Sequence, residues 1–226
     1  MTPKIDELRA IASSLKPSII IVSETWFHDE ITNDEIVLSN YAVPYRKDRS
    51  GKRGGGVCVY LSSDSCVSRL LSSSNNTDVY ESLWIQIPEL NILLFAAYIP
   101  PNLTTTDMKI LERNIISEAE MFLENFNGHR VFMAGDFNQF KTERLEDILN
   151  LKQLVCEATR GKSILDKILI NAELSDSFQR AVIGPNLGKS DHHTILINPV
   201  KTKPKTIKFK KLYDFRESNL EVCKQT

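Results

Sequence analysis

Val131-Phe132-Met133-Ala134-Gly135-Asp136-Phe137-Asn138 is the stretch from which the fold can be read. An unbroken apolar run closed by Gly-Asp predicts a short strand buried on both faces, with polar side chains at its C-terminal end. A strand of that kind belongs to an α/β architecture. The same form recurs along the chain. Ile19-Ile20-Ile21-Val22 runs into Ser23-Glu24-Thr25-Trp26, and the apolar run over 92–98 ends on Tyr98. Ser190-Asp191-His192 stands just before a last strand read over 194–197. Side chains at the ends of neighbouring strands converge on one rim of a sheet, where α/β proteins place their sites. A lone carboxylate at a strand end is ordinarily a solvated turn residue. Glu24, Tyr98, Asp136, Asn138 and Ser190-Asp191-His192 are five such stations in one chain, and together they call for a shared purpose.

Around these strands, apolar residues at helical spacing predict helices over 4–15 and 107–126, with a shorter one over 143–150. Further strands are expected at 41–45, 57–61, 79–87, 164–170 and 179–183, the one over 79–87 alternating like a strand with an exposed face. Residues 47–56 read as a polar, Gly-rich loop and 62–77 as a Ser/Asn-rich connection. Gly54-Gly55-Gly56 lacks the Lys-Ser/Thr of a phosphate loop and precedes a strand, so it reads as a flexible turn. Trp26 and Trp84 read as core residues. Beyond Pro199 lysines crowd the chain, giving one large domain over 1–199 and a Lys-rich linker over 200–226, with a helix beginning over 212–223.

Composition limits the function classes. The chain has 226 residues, 42% of them apolar and 25% charged, as in ordinary globular proteins. A net charge of −1 excludes a wholly basic nucleic-acid binder, so any such contact is local or metal-mediated. Lys47, Arg49, Lys52 and Arg53 form one candidate patch, read as a solvated loop. Cys58, Cys66, Cys156 and Cys223 form no C-x-x-C pair and read as reduced thiols of an intracellular protein. No apolar run is long enough to span a bilayer, so no membrane partner is expected.

The strand-end residue types suit metal-assisted phosphodiester hydrolysis. Mg²⁺ takes one or two protein carboxylates, and Glu24 is the first choice with Asp191 as a second. Asp136 suits the general base or water-positioning group. His192 and Asn138 suit charge-stabilising donors to the phosphate, and Tyr98 can donate from its phenol. His192 needs a carboxylate to hold it oriented and protonated, and Asp166 is the candidate. His193 is expected beside the site without taking part, and His28 and His129 show no ligand spacing.

Taken in order, Ser-Glu-Thr-Trp (23–26), Arg-Gly-Gly-Gly-Val (53–57), Ala-Tyr-Ile-Pro-Pro (97–101), Gly-Asp-Phe-Asn (135–138), Leu-Asp-Lys-Ile-Leu (165–169) and Ser-Asp-His-His (190–193) resemble the apurinic-like endonuclease domain of non-LTR (LINE-type) retrotransposons. The resemblance covers about residues 4–198. It implies a four-layer, DNase I-like α/β sandwich with two packed sheets and outer helices. It implies Mg²⁺ or Mn²⁺ on Glu24, with Asp191 acting near the metal. Tyr98 would contact the phosphate, Asp136 and Asn138 would position water and the scissile group, and Asp166 would orient His192. Its implied partner is DNA, nicked on one strand to expose a 3′-hydroxyl that primes reverse transcription, in the nucleus when the target is chromosomal. The Lys-rich tail would lead to a reverse transcriptase domain of the parent polyprotein.

Family members begin with a strand carrying an Asn before the first helix. Here the chain starts at the helix, so the resemblance implies a first strand missing at the N-terminus. Two other readings follow from the same residues. One is a different phosphodiesterase or phosphatase of the same fold, acting on an inositol phosphate or a sphingolipid. The other is a catalytically inactive remnant.

Overall fold

In the computed structural model, which describes residues 4–64, 67–74 and 79–200, the chain folds around two packed sheets. Helix α1 (Ile5–Leu15) leads into β1 (Ile19–Ser23), followed by a one-turn helix α2 (Asn33–Ile36), β2 (Tyr45–Lys47) and β3 (Val57–Leu61). Then come β4 (Arg69–Ser73), β5 (Glu81–Ile87), β6 (Ile92–Tyr98), α3 (Thr105–Asn125) and β7 (Arg130–Asp136). The chain continues through α4 (Glu143–Leu149), β8 (Leu151–Gln153), β9 (Asp166–Asn171), β10 (Val182–Asn186) and β11 (His193–Leu196). One sheet has the order β4-β5-β6-β7-β9-β8, a second the order β1-β3-β2, and β10 pairs with β11.

Strand alternation builds the layers. Val57, Val59 and Leu61 of β3 pack against Leu83, Ile85 and Ile87 of β5 and against Leu94 and Ala96 of β6, forming the core between the sheets. The intervening Trp84, Leu93 and Phe95 face the other way, onto Leu111, Ile115 and Phe122 of α3. On the outer side of the smaller sheet, Cys58 and Tyr60 meet Ile5, Leu8 and Ala12 of α1. The result is a mixed α/β fold of helix, sheet, sheet and helix. Burial pushes the Cys58 thiol up to about 12, so it is a packed, inert group. Among the described residues, no helix is long and apolar enough to cross a membrane.

The structure revises several readings of the sequence. β5 is buried at every position, where an exposed face was expected. A helix layer on one side and a sheet on the other leave it no solvent face. The supposed connection over 62–77 contains β4, whose largely exposed Ser-rich sequence hides a strand paired with β5. β1 is half-buried throughout, because it forms the edge of its sheet next to β3. Near 41–45 only Tyr41 bridges, to Ser62, and the strand proper begins at Tyr45. β10 starts at Val182, later than expected. The expected helix over 212–223 lies outside the described residues.

Candidate active site

The register of the larger sheet aligns the rim. β6 and β7 run parallel with Tyr98 opposite Asp136, and β7 and β9 run antiparallel with Asp136 opposite Asp166. Tyr98, Asp136 and Asp166 therefore stand in a row across three hydrogen-bonded strands. Gly135 is what allows the close approach. It has φ +143, and a Cβ there would strike the Ala97 carbonyl oxygen.

Asp136 is only 2% exposed, and both of its oxygens are held. The Asn138 N–H donates to Oδ1 at 2.9 Å and the Asn138 Nδ2 donates to Oδ2 at 3.1 Å. Asn138 Nδ2 also donates to the Ile99 carbonyl at 2.9 Å, so its amide is committed to fixing the Asp136 carboxylate. Asn138 takes φ +46, a left-handed conformation that Asn tolerates better than other non-Gly residues. Burial, then the charge of Asp166, pushes the Asp136 carboxyl up to about 7.

His192 completes this side. Its Nδ1 lies 2.8 Å from Asp166 Oδ2, and its Nε2 lies 4.0 Å from Asp136 Oδ2. The hydrogen bond to Asp166 raises the imidazole pKa against the opposing effect of burial, favouring the protonated form. The gap to Asp136 is too long for a direct hydrogen bond, but a single oxygen atom lying about 2.8 Å from each would bridge them. Asp136, Asp166 and His192 offer ligand atoms within 4.8 Å of one another, a group able to hold a cation. The engaged Nδ1 of His192 and the doubly bonded carboxylate of Asp136 make this an acid–base array more readily than an open cage of oxygens.

Glu24 stands across from this row, on the turn after β1. The Tyr98 hydroxyl donates to Glu24 Oε1 at 2.8 Å. Burial, then Glu24 itself, raises the Tyr98 pKa, so the phenol stays a donor. Glu24 is solvent-exposed. Asp191 is turned elsewhere. Its carboxylate meets the Arg160 guanidinium at 2.5 Å, and it stands outside the Asp136, Asp166 and His192 group. His193 donates its backbone N–H to the Thr159 carbonyl, which ties the strand after His192 to the loop before β9.

Sequence reading missed the residues that position these groups. Ser23 Oγ accepts the Asp136 N–H at 3.1 Å, joining the two sheets behind the site. Thr159, fully buried, accepts the N–H groups of Leu165 at 3.0 Å and Asp166 at 3.1 Å through its hydroxyl. Arg49, expected in a solvated patch, instead forms a bidentate pair with Glu81 at 2.7 and 3.0 Å, with side chains 13% and 2% exposed. Its guanidinium lies 5.3 Å from the Tyr98 ring centroid. Glu81 also accepts the Gly56 N–H, so it anchors the whole loop over 49–56 beside Tyr98. Hydroxyl and ion-pair partners of this kind depend on long-range register and leave no local sequence signal.

Residues 1–192 match the Endonuclease/Exonuclease/phosphatase family. A search of curated proteins returns no match. Several solved structures share the fold at low identity. An AP endonuclease from Leishmania major is 13% identical with a TM-score of 0.63, over 86% of this chain and 83% of that one. A mannosyl-6-phosphatase from Bacteroides thetaiotaomicron is 12% identical with a TM-score of 0.64, over 88% and 91%. A 3′ phosphatase from Neisseria bound to a product DNA hairpin is 11% identical with a TM-score of 0.60, over 88% and 95%.

Proposed function

The chain belongs to the endonuclease/exonuclease/phosphatase family, and on that premise we propose that it is a Mg²⁺-dependent endonuclease that nicks DNA by phosphodiester hydrolysis. The observation that carries this reading is the row of Tyr98, Asp136 and Asp166, with His192 held between the two carboxylates. An imidazole that can donate and a carboxylate that can accept stand 4.0 Å apart, a pair suited to a phosphodiester and its attacking water.

The residues divide the work. Asp136, with its pKa near neutrality, accepts a proton from water as the water oxygen bonds to phosphorus. The P–O3′ bond breaks, leaving a 5′-phosphate and a 3′-hydroxyl whose proton comes from solvent. Protonated His192 donates to a phosphoryl oxygen as charge builds on it, and the Tyr98 phenol, whose one proton is given to Glu24, would do the same on turning from that carboxylate. Asp166 holds the imidazole in orientation, and Asn138 holds Asp136. A Mg²⁺ or Mn²⁺ ion would neutralise charge on the phosphate when bound, and Glu24 is the carboxylate placed to hold it. Asp191 would join it only on leaving Arg160.

The motifs at 23–26 and 53–57 support the retroelement reading, in which the nick primes reverse transcription on chromosomal DNA in the nucleus and the parent polyprotein supplies a reverse transcriptase. The Neisseria structure with its DNA product supports DNA as the substrate class. The test is conversion of supercoiled plasmid to open circle in Mg²⁺. The wild-type chain is expected to nick, with Asp136→Ala slower by about 100-fold or more. Equal rates for the two, or faster release of phosphate from a phosphoinositide than nicking of DNA, would remove this assignment.

A further inference from the structure

Trp26 departs from every expectation for a core residue. It is 46% exposed, while its neighbours Thr25 and Phe27 are buried. Its backbone adopts φ +57, a left-handed conformation that is uncommon for so bulky a residue and costs free energy. Two backbone hydrogen bonds to the glycine turn hold it there, Trp26 N–H to Gly55 O at 2.9 Å and Thr25 N–H to Gly56 O at 3.4 Å. The indole lies against Gly54, where a Cβ would come within 3.7 Å of it, and the Arg53 guanidinium sits 5.4 Å from its ring centroid. Arg53 and Lys52 are themselves exposed. The fold thus holds a large aromatic ring in water, braced by a cation and a strained turn, when burying it would have stabilised the chain.

Its place gives the reason. Trp26 lies two residues from Glu24, a reach of at most about 7 Å along the backbone. The loop that braces it is the one that carries Arg49 over Tyr98. An aromatic face beside a guanidinium is the chemistry that stacks nucleobases, and it tolerates any base because each has a π-face. We propose that Trp26 and Arg53 form a stacking platform for an unpaired nucleobase next to the scissile phosphate. The platform makes the site prefer polynucleotide over phosphate esters that lack a base, and so deepens the nuclease reading on which it rests.

The chain itself supplies the probe. It has two tryptophans, and Trp84 is fully buried, with its indole N–H bonded to Glu118. Emission that responds to ligand therefore reports Trp26. The whole chain is titrated in EDTA with a ten-nucleotide single strand and with an abasic strand of equal length and charge. The base-bearing strand is expected to quench the emission and the abasic strand to leave it unchanged. Trp26→Ala should bind the base-bearing strand about 5- to 100-fold more weakly. Trp26→Phe should bind it nearly as well as wild type, with an emission that no longer responds. Equal quenching by both strands, or unchanged affinity in Trp26→Ala, would overturn the platform. The plasmid assay separates the two claims. Nicking without base-dependent quenching refutes the platform alone, and base-dependent quenching without nicking refutes the nuclease reading alone.

Discussion

The rim formed by β6, β7 and β9 and the loop pair at residues 23–27 and 49–56 meet at Tyr98, yet they are held in place by different means. On the rim, Asp136 and Asp166 sit in sheet register, and their side chains are fixed by a buried Asn138 and an imidazole. In the loop pair, Glu24 and Trp26 both take left-handed backbone conformations, and the loops are fastened by the Arg49–Glu81 ion pair, by backbone bonds and by side-chain bonds to Tyr98, Glu81 and Asp136. The rim is set chiefly by sheet register, with Asn138 the one non-glycine residue there that takes a left-handed backbone. The loops are positioned at the cost of local strain, which is tolerated where a side chain must be presented to a ligand. Proton transfer needs the first kind of support, and contact with a long, variable polymer can use the second.

The contrast can be broken at its hinge, which is Glu81. Glu81→Ala leaves the Arg49 charge half-buried without its carboxylate and frees the Gly56 N–H. A loss of about 3–5 kcal/mol is expected, visible as a large fall in the thermal midpoint. A change within error would show that the loops do not depend on this pair. The rim has its own weak point at Thr159. Thr159→Val strands the buried N–H of Leu165 and the half-buried N–H of Asp166 and should cost about 1–3 kcal/mol, with Thr159→Ser restoring most of it. Chemical denaturation of the three proteins measures this, and equal midpoints would contradict it.

Stability should also depend on pH. Burial, then Asp166, pushes the Asp136 carboxyl from 3.8 to about 7, so between those values the folded chain keeps a proton that the unfolded chain has released. The stabilisation from this group is full below about pH 4 and is lost as pH rises through 7. Asp136→Asn cannot ionise. In EDTA its stability relative to wild type should rise by about 2–3 kcal/mol from pH 5 to pH 8, at roughly 1.4 kcal/mol per pKa unit. A difference that grows as pH falls would reverse the sign of this account. The same substitution should lower nicking, so at this position activity and stability pull in opposite directions.

How far each region can be read from the sequence follows the same division. The runs at 92–98 and 131–134 announce buried strands because apolar residues repeat without a break, and the run at 19–22 announces a strand but not its edge position, which leaves it half-buried. The strand-end polar residues follow from those runs, so Tyr98, Asp136, Asn138 and Glu24 stand where the pattern implies. Asp166 and His192 are separated by 26 positions, and their pairing follows from the need of an imidazole for a carboxylate and from the family resemblance; the structure places them 2.8 Å apart. The loop pair was far less legible. Nothing local distinguishes a Trp that packs inside from one propped outside by a glycine turn. Arg49 looked like a solvated charge because its partner lies 32 positions away, in a strand whose alternating pattern suggested an exposed face. Ser23 and Thr159 work through single hydroxyls aimed at backbone groups that only the assembled sheets bring within reach.

The central claim is that Asp166 acts on the phosphodiester through His192, as one unit with Asp136. Single-turnover nicking of supercoiled plasmid in Mg²⁺ by wild type, Asp166→Asn, His192→Ala and the double variant tests it directly. Each single change is expected to slow nicking by about 100-fold or more, and the pair together should be no slower than His192→Ala alone. Losses that multiply, or a wild-type rate no higher than that of His192→Ala, would contradict it.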